Sequence, residues 1–440
     1  MFPSVAAAWN MSEEDFLKQN SAISNAKLRL SYGISGNNRV GDFSNRSSFN
    51  QTQFSAYSFD NGTPIKSIIP LTLGNENLKW ESTKQFNIGY DFGMFKNRVE
   101  IIIDAYRKTT HDLLLEADLP KTSGFLKAFK NVGTIRNDGL EFTLNTTNIA
   151  NKNFTWSSNF NISFNRNKVL ALTEGKTSLL TNSPLFMDGA FNMPLYISQL
   201  NQPAGLFYGY VFEGIYQYND FDEVAPRAYY LKPGVATNGQ NREVIQPGDI
   251  KYKDINGDGI VNDLDLTIIG RGQPVHIGGF NNNFTYKGFD LNVFFQWSYG
   301  NDIINANRLV LEGQTGTTRF NINQLASYEN RWSPTNPSNE LFRAGGQGPI
   351  GRYSSRVIED GSYLRLKTLS LGYNIKGKSG WRLKFNSLRL YASAQNLLTF
   401  TNYTGMDPEV AVRNSVLTPG YDFSAYPQSR TIIFGLNIKL

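Results

Sequence analysis

The sequence predicts an all-β chain, a segment of a transmembrane antiparallel β-barrel with short periplasmic turns and long extracellular loops. Three observations carry that expectation. Hydrophobicity alternates with a period of two, short and long connections take turns, and aromatic residues are plentiful while charge is sparse. Of the 440 residues, 40% are hydrophobic, 13% aromatic and only 18% charged, where ordinary soluble domains carry about 25% charged residues. Polarity comes instead from Asn, Ser and Thr.

The alternation is plainest from Phe154 onward. Phe154, Trp156, Phe160, Ile162 and Phe164 fall on one face, interrupted only by Ser158. Thr155, Ser157, Asn159, Asn161, Ser163 and Asn165 fall on the other. Leu291, Val293, Phe295 and Trp297 oppose Asp290, Asn292, Gln296 and Ser298 in the same way. At the end of the chain Ile432, Phe434, Leu436, Ile438 and Leu440 oppose Thr431, Gly435, Asn437 and Lys439, with Ile433 as the exception. A side-chain period of two makes each of these a strand with one greasy and one wet face. Helix is expected only over a short Ser12–Gln19 stretch.

A soluble sandwich alternates too, so the connections decide where the greasy face looks. Gly93–Arg98, Asn148–Asn153, Tyr286–Phe289 and Lys376–Asn386 are brief, whereas Thr109–Arg136, Tyr218–Val275, Asn301–Asp360 and Leu398–Ser429 are long. Loops of that length are rare in compact soluble domains, and the asymmetry is that of outer-membrane barrels. Aromatics near strand ends, such as Trp80, Tyr90, Trp297 and Tyr373, suit interfacial girdles. Spans are expected near 2–10, 27–36, 81–93, 98–108, 137–147, 154–165, 190–200, 205–217, 276–286, 289–299, 362–375, 387–397 and 430–440, about thirteen in all. An odd count leaves an open edge, which costs unpaired backbone groups in lipid, so the chain reads as part of a larger barrel. No apolar run approaches the roughly 18 residues of a spanning helix, and no export signal opens the chain.

Other chemistries are excluded or left weak. There are no cysteines, hence no disulfide or thiolate site, and His111 and His276 match no ligand spacing. The net charge of +6 is scattered singly, without a nucleic-acid motif. Gly-x-Ser-x-Gly, P-loop and HExxH motifs are absent, and the acid pairs Glu13-Glu14 and Glu359-Asp360 read as solvated turn charges. Lumen-facing polar residues and loop aromatics such as Tyr216, Tyr218, Trp332 and Tyr353 are the expected substrate contacts, since sugars stack on rings and bond to Asn and Asp. The substrate residues themselves stay open.

One stretch carries metal chemistry. Asp254, Asn256 and Asp258 occupy positions one, three and five of a twelve-residue calcium loop, with Gly259 at the sharp turn. The Ile260 carbonyl takes position seven, Asn262 nine, and Asp265 twelve, where an EF-hand has Glu. Six oxygen donors aimed at one centre suit a hard cation, so structural Ca2+ is expected in the extracellular loop 218–275.

Four stretches also carry a resemblance. They are Asp254–Gly270 running into Pro274–Asn305, Asn330–Pro337, Glu359–Tyr373 and Gln395–Val410; a weaker one is Asn77–Tyr90 with Leu78-Lys79-Trp80-Glu81. The chain resembles the C-terminal barrel part of the SusC/RagA family of TonB-linked outer-membrane proteins. The ending Gly435-x-x-Ile438-x-Leu440 looks like an outer-membrane assembly signal, with Leu in place of the usual aromatic. The resemblance implies a barrel of roughly 22 strands around a plug, of which residues 1–440 would be the later part, signal peptide, plug and early strands lying outside it. It further implies cell outer-membrane localisation, a SusD-like surface lipoprotein, a TonB complex engaged through the upstream part, and import of oligosaccharides or peptides. No enzyme activity is implied. The rival expectations are a passive porin-like or calcium-stabilised surface β-protein that binds glycans, and a secreted carbohydrate-active enzyme.

Overall fold

Alternation gives each strand one apolar and one polar face, and antiparallel pairing sets like beside like across neighbouring strands. The computed structural model describes residues 2–38, 45–58, 62, 65–118, 122, 125, 127–131, 133–172, 175–182, 194–313, 323–349, 352–377, 386–409 and 415–439. Among them, eleven strands form one large sheet in chain order: β1 Ser4–Asn10, β2 Ile23–Asn37, β3 Glu81–Met94, β4 Val99–His111, β5 Thr134–Ala150, β6 Phe154–Ala171, β7 His276–Tyr286, β8 Phe289–Tyr299, β9 Tyr363–Lys376, β10 Ser387–Thr401 and β11 Thr431–Lys439. Helix is confined to short pieces, among them Asp15–Lys18 and Ala306–Leu311, and no described helix is long and apolar enough to cross a membrane.

The chain divides into two compact units. The first comprises Met1–Phe142, Asn165–Leu179 and Gln199–Pro203. In it Trp9, Leu28, Tyr90 and Ile103 stand in one row across β1 to β4, while Arg29 and Asp104 flank Gly89 in the row beside it. Arg29 bonds Asp91 at 2.7 Å and Asp104 at 3.0 Å. Gly89 permits this: a Cβ there would sit 2.4 Å from the Asp104 carboxylate and 2.6 Å from the guanidinium carbon.

The second unit comprises Thr143–Phe164, Leu180–Ser198 and Ala204–Leu440. Here Trp156, Phe284, Leu291, Leu371, Ala392 and Phe434 form one apolar row across β6 to β11. The adjacent row on the opposite face is Ser157, Asn283, Asn292, Ser370, Ser393 and Ile433. The wet rows are cross-linked through side chains, Asn292 donating to Asn281 at 2.7 Å and to Asn283 at 2.8 Å. Ser158, which interrupts the apolar face, is closed into a polar knot: it donates to Asn282 at 2.7 Å and accepts from Asn148 at 2.8 Å, while Trp156 Nε1 donates to Asn282 at 3.0 Å. Lys287 and Gly288, both at positive φ, make the two-residue turn between β7 and β8.

The apolar face is exposed, and the buried apolar clusters among the described residues lie outside the large sheet. Phe434 is 80% exposed, and Leu371, Phe400, Ile432 and Leu436 are also largely exposed. That inverts the pattern of a sheet dissolved in water and is the pattern of one whose greasy face meets lipid.

The spans expected at 190–200 and 205–217 are a correction. Pro194–Gln199 and Leu206–Gly209 belong to a separate four-stranded sheet with Ser178–Asn182 and Thr267–Arg271, and Phe212–Ile215 pairs with Ile250–Tyr252. The large sheet therefore holds eleven described strands, against the thirteen expected. Leu195, Tyr196, Ile197 and Ser198 are buried in succession, so this segment is covered on both faces rather than alternating. Dry cores lie in the long connections instead: Leu195, Tyr196, Phe207, Ile304 and Tyr421 in one cluster, Tyr210, Tyr252, Trp332 and Phe342 in a second, and Tyr216, Phe221, Leu231 and Ile245 in a third.

Candidate functional site

The polar faces of β6 to β9 make a wall, and a cavity of about 570 Å3 lies against it within the second unit. Asn161 and Ser163 come from β6, Phe294, Gln296 and Ser298 from β8, Tyr363 from β9, and Pro408 and Glu409 from the loop after β10. Strand register sets Asn161, Gly279, Gln296 and Arg365 in one row. The space above Gly279 is taken by the Phe294 ring, whose Cε2 lies 2.9 Å from where a glycine Cβ would be. The Gln296 amide makes no hydrogen bond to the protein among the described residues. Ser298 is committed, donating to Asn301 at 2.8 Å.

Ion pairs hold the loop after β10 to this wall. Buried Arg365 reaches Asp407 at 2.6 Å and Glu409 at 2.9 Å, and Lys367 reaches Glu409 at 3.1 Å. Asp407 also accepts from the backbone N–H of Gln428 at 2.9 Å and of Glu409 at 2.8 Å. Glu359, expected as a solvated turn charge, is a further correction: its side chain is 9% exposed and accepts from Arg308 at 3.0 Å and from the Thr404 hydroxyl at 2.7 Å. A lone carboxylate would not stay buried; this one is compensated by a guanidinium and a hydroxyl brought from distant sequence. Arg308 and Arg356 both bond Glu312, at 3.0 and 2.5 Å, and hold its carboxyl below the usual glutamate range against the opposing effect of burial. Burial pushes the Tyr252 phenol up to about 12, and Asp249 upward despite Arg343 at 2.7 Å.

The loop aromatics expected to touch substrate are mostly elsewhere. Tyr216, Trp332 and Tyr353 are 0%, 5% and 3% exposed and serve the loop cores. Tyr218 is the exposed one of the four, with rings of Tyr229 and Trp332 at 5.3 and 5.4 Å. A large aromatic in a long loop serves equally well as core or as contact, and only packing separates the two. Phe294 carried a usable signal. It breaks the polar face of Asp290, Asn292, Gln296 and Ser298, and a large apolar residue on a wet face needs a reason.

The six expected metal-site residues lie on one tight loop. Asp254 accepts from the N–H of Gly257 and Gly259, both at 2.7 Å, with Gly257 and Gly259 at positive φ. Asn256 accepts from Asp258 N–H at 3.0 Å and Asp258 from Ile260 N–H at 2.8 Å. Asp265, fully buried, accepts from Ile255 and Asn262 N–H at 2.8 Å and closes the loop. The donors, three carboxylates, two amide oxygens and the Ile260 carbonyl, are all hard oxygens, the chemistry calcium takes. Among the described residues no three His, Cys, Asp or Glu side chains are grouped as metal ligands.

With the wall and loops in place, comparison decides the family. Residues 1–240 match the family described as TonB dependent receptor-like, beta-barrel. The chain belongs to that family. Members are outer-membrane proteins, and the exposed apolar rows of this TonB-dependent receptor barrel accordingly face lipid. It is 38% identical over its whole length to TonB-dependent receptor P3 of Formosa agariphila and covers 42% of that protein. It is 28% identical, again over its whole length, to TonB-dependent receptor SusC of Bacteroides thetaiotaomicron, covering 40% of it. Among solved structures, the RagAB peptide transporter matches 99% of the chain and 43% of that chain, at 25% identity and a TM-score of 0.74. The chain thus spans about two fifths of the length of these relatives.

Proposed function

We propose that this chain is the barrel portion of an outer-membrane importer of the SusC/RagA type, taking up oligosaccharides, or peptides as the second choice. In this reading it works with a SusD-like surface lipoprotein and draws energy from a TonB complex. The observation that carries it is the two-sidedness of the large sheet: greasy rows on one face, and on the other a wall of Asn, Ser, Gln and Thr with a cavity of about 570 Å3 at its loop end. Kinship to a protein named TonB-dependent receptor SusC supports the receptor type, and likeness to one titled a peptide transporter supports the second choice of substrate. The test is uptake of labelled neutral oligosaccharides and of labelled peptides by cells with and without the gene, each with and without a protonophore. Uptake that needs both the gene and the proton gradient is the expected result. Gene-dependent uptake that survives the protonophore would sink the TonB-driven reading in favour of a passive pore.

We also propose that Asp254, Asn256, Asp258, Asn262, Asp265 and the Ile260 carbonyl hold a structural Ca2+ that staples the loop 218–275. The spacing and the all-oxygen donor set support it. Calcium should protect this loop from protease in the wild type and not in Asp254→Ala. Cleavage that ignores chelator in the wild type argues for an ion-free loop.

A further inference from the structure

We infer that the cavity at the loop end of β6 to β9 is a subsite for one uncharged sugar ring, with Phe294 as its platform and Gln296 as its hydrogen-bonding contact. The inference rests on reading the wall as a transport lumen and adds to it the residues and the charge preference of one position.

Three observations meet there. The first is the Phe294 ring, which leans along the wall over Gly279 and remains half-buried on the otherwise polar face of β8. No ring of another described residue is paired with it. An aromatic face set against a wall offers the flat apolar surface that the C–H side of a pyranose covers. The second is Gln296, in register beside Gly279, whose side chain bonds no other described residue. An amide both donates and accepts, which matches the paired hydroxyls of a sugar. Asn161, across Gly279 from it, lines the same cavity.

The third is charge. Glu409 is the carboxylate on the cavity lining, and it is held by Arg365 at 2.9 Å and Lys367 at 3.1 Å, while Arg365 is shared with Asp407 at 2.6 Å. Two cations meet two anions, so the site presents no net charge to a ligand. An acidic sugar or a charged peptide side chain would lose hydration there without gaining a counter-ion.

The test uses the protein extracted whole from outer membranes, with correct folding checked by heat-modifiable migration on gels. Binding of short neutral oligosaccharides, of uronate-containing oligosaccharides and of neutral peptides is measured calorimetrically. The wild type should prefer the neutral oligosaccharides. Phe294→Ala and Gln296→Ala should each weaken that binding by about tenfold, and Phe294→Trp should retain it. Glu409→Gln, which removes one negative charge beside Arg365 and Lys367, should move the preference toward uronates. Unchanged neutral-oligosaccharide affinity in both alanine variants overturns the subsite, as does a wild type that binds uronates as tightly as neutral sugars. The two readings fail separately. Binding lost with Phe294 but no energised uptake leaves the subsite and removes the importer; energised uptake of peptides with no oligosaccharide binding does the reverse.

Discussion

Arg365 on β9 and Asp407 in the loop after β10 are joined at 2.6 Å with side chains only 2% and 7% exposed. A charge pair so far from water is stable as a pair and costly when broken, because removing one member strands the other. Asp407 in addition anchors two backbone N–H groups, of Glu409 and Gln428. Asp407→Ala should therefore lower stability by about 3 kcal/mol and expose the loop 402–430 to protease. The double variant Arg365→Met with Asp407→Leu should recover much of that loss. Equal damage from single and double variants, read by thermal unfolding in detergent, would contradict this account.

The lipid-facing assignment of the sheet makes an asymmetric forecast for two residues one register step apart. Phe434 lies on the greasy face of β11 and Ser393 on the wet face of β10. Arginine on a lipid face costs roughly 2–4 kcal/mol near the bilayer midplane, while a lumen position tolerates it. Phe434→Arg should reduce the folded, heat-modifiable fraction recovered from outer membranes, and Ser393→Arg should leave it near wild type. In a sheet bathed by water on both sides the two variants would behave alike.

The strands were legible because a period of two needs only local residues to be seen. All eleven strands of the large sheet fall on expected spans, and the rows from Trp156 to Phe434 follow from alternation plus pairing. Pro194–Gln199 failed because a segment covered on both faces loses its alternation, and its length and apolar content then mimic a spanning strand. Arg365 and Asp407 lie 42 residues apart, and Glu359 and Thr404 lie 45 apart. No local pattern pairs them; folding the loops back onto the wall does. The cavity was illegible for the same reason, although Phe294, which helps shape it, interrupts the polar face of Asp290, Asn292, Gln296 and Ser298.

Acid should loosen the loop between β8 and β9 through Glu312. Burial on its own would raise this carboxyl's pKa, but Arg356 at 2.5 Å and Arg308 at 3.0 Å outweigh it and hold the pKa below the ordinary 4.5. A carboxyl whose folded pKa is depressed binds fewer protons folded than unfolded, so its stabilisation is present above 4.5 and is lost as pH falls below that value. Asp249 runs the other way: burial raises its pKa despite Arg343, so protonation favours its folded surroundings and acid relieves them. Protease resistance of the 301–360 loop in the wild type should therefore fall as the pH drops below 4.5. Glu312→Gln should be weaker at neutral pH, because two guanidinium groups lose their shared carboxylate, and should lack that acid step. Asp249→Asn should leave the step in place, since it removes a group that opposes it. An acid step of the same size in Glu312→Gln would assign the transition to another carboxylate and end the claim that this buried pair sets it.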